Sequence, residues 1–459
     1  MEPIDISWEN FRGFKRPTTF RLPGITVLIG RNNVGKTSTY APLLMMRQTL
    51  DARNRETALL SRGGLIDAGP FKDYVSDHDV SQAVGFKITL PGSPFEDQTN
   101  ADSLVNGLTL DSEFRSEDGQ SAFLSRQRIS NRGGKAVISR TRDAAGHPFT
   151  VTSTTLPSSN KIGRPPREIT ALREGMRNEQ PDGFLFSGVG GLLLPREVRE
   201  DPTRWNRVQD WYNAAFTLYE AHRRTNAAVR KFLRGISYVG PLRSLPIRTY
   251  RLAAEAPLDV GRSGEFAPEV LYRLRDEEAG SIVFDWMQRL GYGRPTFTDL
   301  SDEYFQVQLK NRSGVTVNIA DSGIGLSQLM PLLVQGAMTA PGATLIAQQP
   351  EIHLNPAQQS IATDFLIERA SSGARVLIET HSEHVLLRLR RRVAEGLVDS
   401  RDVAIYYVGN EQGETTARQV GLGEHGEIGR DDWPEGFFED QLEDSFALAS
   451  AQSQRSNSK

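Results

Sequence analysis

Apolar positions along this chain follow two rhythms. Runs such as Ile25-Thr-Val-Leu-Ile29, Ala343-Thr-Leu-Ile-Ala347 and Arg375-Val-Leu-Ile-Glu379 are apolar at nearly every position. Strands covered on both faces of a parallel sheet need that pattern. Between these runs the spacing changes to three and four. Gln358, Ile361, Phe365 and Leu366 predict a helix that opens at Asn355-Pro356, with Asn as N-cap and Pro at N1, and ends near Gly373. Ser38 to Leu50, Leu329 to about Ala340, and Trp205 to Leu233 read as further helices. Strand–helix–strand order predicts an α/β fold with polar residues at the carboxyl ends of the strands, where ligands bind. The stretch from about Ser81 to Pro157 is different. Short β-type segments (Ala83–Leu90, Phe149-Thr-Val-Thr152) alternate with turn-rich runs at Pro91-Gly-Ser-Pro94, Ser116-Glu-Asp-Gly119 and Asn131-Arg-Gly-Gly134. No heptad pattern or internal repeat occurs, so this region reads as a compact insertion and not a coiled-coil arm.

The run at Ile25–Ile29 leads into Gly30-Arg-Asn32-Asn33-Val-Gly35-Lys36-Thr37, which fits G-x-x-x-x-G-K-[ST] without a mismatch, and then into Ser38 and the helix. That is the context of a phosphate-binding loop. The glycines let successive N–H groups point inward, Lys36 reaches the β/γ-phosphates, and the Thr37 hydroxyl suits Mg²⁺. ATP and Mg²⁺ are therefore the expected cofactors. A second Gly/Ser turn, Asp321-Ser-Gly323-Ile-Gly325-Leu-Ser327-Gln328, opens another apolar helix. One nucleotide does not need two such cradles from the same chain, which points to a site shared between two subunits.

Composition narrows the setting. The chain has 459 residues, 24% charged and 38% hydrophobic, enough for two or three structural units. It contains no cysteine, which excludes disulfides, thiolate metal sites and cysteine nucleophiles. A net charge of −3 gives no global attraction to DNA, so direct DNA binding finds no support there. Met1-Glu-Pro-Ile-Asp5 lacks the features of a signal peptide, and no run of about 18 apolar residues occurs. The expectation is a cytoplasmic protein with no membrane partner.

The motifs together resemble an ABC-type ATPase of the SMC/RecF/OLD branch, among AAA-family ATPases related to OLD and PtuA-like defence proteins. Ile4 to Phe14 resembles the first strand of that branch. Tyr238-Val-Gly240-Pro241-Leu-Arg243, with Pro246, Arg248 and Tyr250, resembles a further family segment. Asp321 to Gln328 is similar to the signature motif, Gln348 to Pro356 to the Walker B and D-loop, and His381 in Glu-Thr-His-Ser-Glu-His to the H-switch. Asp432-Trp433-Pro-Glu-Gly-Phe437-Phe438 resembles the closing segment of one subgroup. The fold implied is a P-loop ABC-type ATPase head with a mixed sheet, split by a β-rich then helical insertion lobe. Its expected parts are residues 1–94, the lobe at 95–234, the rest of the head at 235–450 and a disordered tail at 451–459.

The resemblance also implies roles. Gln348, Gln349, Glu351 and His381 take the catalytic positions. Gly30, Asn32, Asn33, Gly35, Lys36, Thr37 and Ser38 bind nucleotide, with Gly323, Gly325 and Ser327 facing the nucleotide of the opposite subunit. Thr37 and Gln348 take the metal positions. Family members usually carry Glu where this chain has Gln348, and Gln349 aligns with the catalytic Glu. An amide carries no charge and takes no proton from water, so turnover is expected to be impaired. A naturally slow switch and a Glu→Gln exchange that traps ATP both fit this departure. Glu351 and His381 are then the titratable groups expected near the γ-phosphate.

The function implied is a dimeric or larger ATP-driven switch in a bacterial anti-phage defence system, controlling a separate nuclease-type effector. A RecF-like DNA-repair ATPase that binds DNA directly is the alternative. A transporter subunit is the weaker rival, because the signature is not LSGGQ. Arg388, Arg390, Arg391 and Arg392 read as a solvated cationic face before a DNA contact. His353 reads as structural, since no second ligand stands at metal spacing beside it. Arg243 reads either as packed against a carboxylate or as close to the nucleotide. Trp433, Phe437 and Phe438 read as a hydrophobic latch.

Overall fold

The computed structural model describes residues 1–92, 107–131, 134, 136–153, 167–186, 196–310 and 313–429. Lys161 and Arg164, the segment with Trp433, Phe437 and Phe438, and the tail beyond 451 lie outside the described residues.

Seventeen strands are described among these residues: β1 (Ile4–Glu9), β2 (Thr18–Leu22), β3 (Ile25–Ile29), β4 (Val84–Leu90), β5 (Leu108–Arg115), β6 (Phe123–Asn131), β7 (Ala136–Thr141), β8 (Thr150–Ser153), β9 (Ile236–Val239), β10 (Tyr250–Arg251), β11 (Thr296–Asp299), β12 (Tyr304–Lys310), β13 (Thr316–Asn318), β14 (Thr344–Gln348), β15 (Arg375–Glu379), β16 (Val403–Glu411) and β17 (Glu414–Val420). The central sheet runs β17-β16-β3-β15-β14-β9. Its first five strands in space from β9 to β16 are parallel, and β17 closes the edge as an antiparallel hairpin with β16. The apolar runs read from the sequence are its inner strands, β3, β14 and β15.

Strand alternation divides these runs between two cores. Val27, Ile29, Leu345, Ala347, Val376 and Ile378 face helices Ala267–Leu274, Glu278–Arg289, Ile324–Met338, Pro356–Ser371 and Glu383–Ala394. Leu28, Ile346 and Leu377 face the other way, toward helix Ala41–Leu50. That helix is in turn roofed by the antiparallel sheet β2-β1-β4-β5-β6-β7-β8. This sheet joins β1, β2 and β4 to the strands of the inserted lobe, so it spans both sides of residue 95. The long helix Pro202–Arg234, capped by the Asp201 side chain on the N–H groups of Thr203 and Arg204, packs into the same core through Leu218, Val229 and Leu233. The architecture is thus an α/β head with mixed sheets and an inserted lobe.

The expected cationic face is largely paired within the chain. Arg388 and Arg392 both grip Asp364 on the neighbouring helix, Arg391 and Arg392 reach Glu395, and the Arg390 Nε donates to the carbonyl of Gly426. Burial raises the Asp364 pKa, but hydrogen bonds and charge from Arg392 and Arg388 outweigh it and hold the carboxyl below its ordinary value. Its contribution is complete above the ordinary carboxylate range near pH 4 and is lost as pH falls below it. Asp364→Ala should therefore cost about 1–2 kcal/mol at pH 7, and the deficit should shrink in acid below about pH 4. Urea unfolding at pH 7 and at pH 3 measures both.

Candidate nucleotide site

The phosphate-binding loop leaves β3 at its carboxyl end. Gly30 has φ 145° and Gly35 φ 101°, conformations that favour glycine, and Asn33 also has positive φ at 62°. Space makes the same demand, since a Cβ on Gly30 would lie 2.1 Å from the Val408 carbonyl oxygen. The loop is braced from behind by Thr415 on β17. Its hydroxyl donates to the Val34 carbonyl at 3.2 Å, and its N–H donates to the Gly13 carbonyl at 2.8 Å. A Cβ on Gly13 would fall 2.0 Å from that hydroxyl oxygen. After the loop, residues Lys36–Thr39 form a 3₁₀ turn, and the α-helix proper begins at Ala41 with Pro42 in its first turn. The sequence places the helix start near Ser38; Tyr40, not Gly35, precedes the α-helical residues.

Lys36 is buried and folds back on the loop. Its Nζ donates to the carbonyls of Gly30 at 3.0 Å and Arg31 at 2.6 Å. Burial lowers its pKa, and the charges of Glu379 and Glu351 offset part of that effect. Arg12, in the turn after β1, brings its guanidinium to 3.5 Å from the Ser38 hydroxyl.

A polar network crosses the ends of three neighbouring strands. Tyr238 on β9, Gln348 on β14 and Glu379 on β15 share the sheet face that looks toward the loop, and Gln348 pairs directly with Glu379 in the parallel register. The Tyr238 hydroxyl donates to Gln348 Oε1, which turns the amide nitrogen toward Thr37 Oγ1 at 3.1 Å and Glu379 Oε1 at 3.3 Å. Glu379 Oε2 accepts from the Thr37 hydroxyl at 3.0 Å and from the Tyr40 hydroxyl at 2.6 Å. Glu379 is only 4% exposed. Burial and this carboxylate raise the Tyr40 pKa well above a phenol's ordinary value. Sequence reasoning limited the acids near this loop to Glu351 and left Glu379 out. Its signal was its register with Gln348, which no motif carries.

Glu351 and His381 meet at the same end of the sheet. Glu351 Oε1 accepts from the His381 backbone N–H at 2.9 Å, and burial raises the Glu351 pKa against the pull of its hydrogen bonds and of Arg243. Burial and the Lys36 charge lower the His381 pKa. Gln349 is held in a left-handed conformation, φ 47°, and its N–H donates to the Glu379 carbonyl at 2.7 Å. His353 likewise has positive φ, 61°, in the turn before Asn355. Among the described residues no group of three metal-ligating His, Cys, Asp or Glu side chains occurs.

Arg243 makes no carboxylate ion pair among the described residues. It is 6% exposed and donates to three backbone carbonyls, those of Gly240 at 3.1 Å, Gln328 at 2.7 Å and Gln348 at 3.1 Å. It therefore straps the helix that follows the Gly/Ser turn to the end of β14, and burial pushes its pKa down to about 10. That helix starts at Ile324, five residues before the sequence placed it at Leu329, with Gly323 as N-cap. Gly325 is wedged beneath Tyr292, and the Ser327 hydroxyl is turned inward onto the Ile324 carbonyl at 2.7 Å. Gly323 alone of the three stands in open space, with nothing within 4 Å of the position a Cβ would take.

Residues 25–388 match the family model described as "AAA domain, putative AbiEii toxin, Type IV TA system", and residues 398–448 match one described as "Protein of unknown function (DUF3696)". No curated protein matches. Among solved structures the chain is similar to an SMC head domain from Thermotoga maritima, at 11% identity and TM-score 0.38, covering 92% of this chain and 100% of that one. It is also similar to an Smc head domain with an extended coiled coil bound to the C-terminal domain of ScpA, derived from Pyrococcus furiosus. The values there are 12% identity and TM-score 0.42, over 91% of this chain and 96% of that one. With TM-scores below 0.5, these likenesses add no weight to the family match. Among the described residues no helix is long and apolar enough to cross a membrane.

The Gln348–Glu379 pair predicts the effect of a second charge. Gln348→Glu exchanges the amide donor for a carboxylate beside Glu379, and like charges at that separation cannot both ionise freely. In buffer without divalent cations the variant should lose about 1–3 kcal/mol of stability, read as a fall in Tm, and an unchanged Tm would mean that the two side chains do not face each other as described.

Proposed function

The chain belongs to the AAA-domain family whose model spans residues 25–388, and on that premise we propose that it is an ATP-binding and hydrolysing switch that works as a dimer. The observation that carries the reading is the convergence of Lys36, Thr37 and the Tyr238–Gln348–Glu379 network on one loop at the carboxyl ends of parallel strands. The loop suits a phosphate chain, because Gly30 and Gly35 leave its inner side to the backbone. Thr37 is the residue that would hold Mg²⁺, supported by Gln348, and Mg²⁺ would supply charge neutralisation across the β- and γ-phosphates. Lys36 would move from the loop carbonyls to the phosphates. Gln348 and Gln349 are amides and orient groups without accepting a proton, so turnover is slow.

Gly323, open to solvent at the head of its helix, supports a site completed by a second copy, with Gly325 and Ser327 shaping the turn from behind. Loss of the γ-phosphate would then release the pair. The family description names a putative AbiEii toxin of a type IV system, which supports a toxin- or defence-associated role; kinship with OLD and PtuA-like ATPases and a separate nuclease-type effector as partner rest on the resemblance of the motifs. Direct DNA binding of the RecF kind gains nothing from the arginine cluster, whose members are engaged within the chain. Binding to duplex DNA that weakens steeply with salt would restore that alternative.

Lys36→Ala should lower the affinity for a fluorescent ATP analogue by at least about ten-fold, the loss of one charge-assisted contact. Equal affinity would remove the loop from nucleotide binding. Gly323→Arg should leave that affinity intact while abolishing any ATP-dependent doubling of mass in light scattering, since a bulky cation there meets nothing in its own chain. A variant that still doubles would restrict the turn to its own subunit.

A further inference from the structure

We propose that Glu379, at the tip of β15, supplies the carboxylate that holds the divalent cation of the nucleotide, in the place left neutral by Gln348. The inference rests on the nucleotide-site reading above and extends it to a residue on the neighbouring strand.

Three observations carry it. The first is position. The Glu379 oxygens lie 3.0 and 3.4 Å from the Thr37 hydroxyl, the group that a phosphate-binding loop offers to the metal. A cation taken up by Thr37 is therefore within reach of Glu379 Oε2. The second is charge. Glu379 is almost fully buried and among the described residues forms no ion pair within 4 Å; the one cation whose field it shares, Lys36, spends its Nζ on loop carbonyls. Its oxygens are met by the hydroxyls of Thr37 and Tyr40 and the amide of Gln348, all of them neutral. A tether alone would not need that charge, because a glutamine could accept the same hydroxyl bonds without carrying an anion out of water. A hard divalent cation beside an oxygen donor set removes the cost. The third is the arrangement of the pair. β14 and β15 place residues 348 and 379 opposite each other in register, so exchanging which strand carries the acid moves the charge sideways by one strand without moving it along the sheet. Gln348 then has a part that only an amide fills. Its oxygen is fixed by Tyr238, and its nitrogen steers both Thr37 and Glu379. The carboxylate nearest Thr37 then stands on β15 in place of β14.

The test compares the full-length chain with Glu379→Gln. A fluorescent ATP analogue is titrated in Mg²⁺ and in EDTA, and Mn²⁺ is titrated against the nucleotide-loaded protein with the free ion followed by electron paramagnetic resonance. The native chain should bind the analogue more tightly in Mg²⁺ than in EDTA. The variant should lose about ten-fold of affinity in Mg²⁺ and none in EDTA, and leave more Mn²⁺ free. A variant with the full Mg²⁺ gain and native Mn²⁺ binding overturns the proposal while leaving the nucleotide site in place. A native chain without any Mg²⁺ gain also overturns it. A native chain that binds no analogue in either buffer overturns the nucleotide reading itself. Should Glu379→Gln fail to fold, Glu379→Asp keeps the charge but withdraws it by one methylene, and undiminished Mn²⁺ binding by that variant overturns the assignment.

Discussion

A buried anion is the constraint around which this head is organised. Glu379 ends β15 inside the protein, where its charge is tolerable only if donors surround it, and the donors arrive from three directions. Gln348 comes from the adjacent strand, Thr37 from the 3₁₀ turn after the glycine loop, and Tyr40 from the residue that precedes the α-helix. Satisfying one carboxylate therefore fixes the distance between the loop and the two strands beside it. The 3₁₀ geometry of Lys36–Thr39 belongs to the same solution, because it carries Thr37 and Tyr40 toward one acceptor.

Much of this was legible in the sequence, and what was missed has a physical reason. Largely apolar runs located β3, β14 and β15, because a strand covered on both faces keeps few polar positions between its ends. The glycine loop was legible because its backbone conformations forbid most other residues. Glu379 was passed over because it stands in a motif read for its histidine, and adjacency between strands is not written in either strand alone. Tyr238 and Tyr40 are buried aromatics; their hydroxyls matter only once Gln348 and Glu379 are seen beside them. The helix after the second glycine turn started early because only Asp321, Ser322 and Gly323 of that turn stay outside it, while Gly325 and Ser327 lie in its first turns. The arginine cluster read as a surface because its partners, Asp364 and Glu395, sit on another helix or past the helix end.

Arg243 joins two parts that the sequence treats as separate motifs. Its guanidinium spends its donors on backbone carbonyls, so its geometry does not depend on which side chains surround it. The helix headed by Gly323 and the end of β14 consequently move together. The Gln349 N–H, bonded to the Glu379 carbonyl, carries the same rigidity one strand further.

Thr415 gives a late part of the chain a hold on the glycine loop. It belongs to the hairpin β16–β17, within the stretch matched by the second family model, yet it fills the space left by Gly13 and Gly35 and bonds to Val34. The loop is seated on this late hairpin, which the Gly13 carbonyl holds in turn, like a keystone set after the arch. A chain emerging during synthesis has its glycine loop in hand long before the piece that seats it, so a fragment ending ahead of residue 403 would hold every residue of the motif without the wall that shapes it.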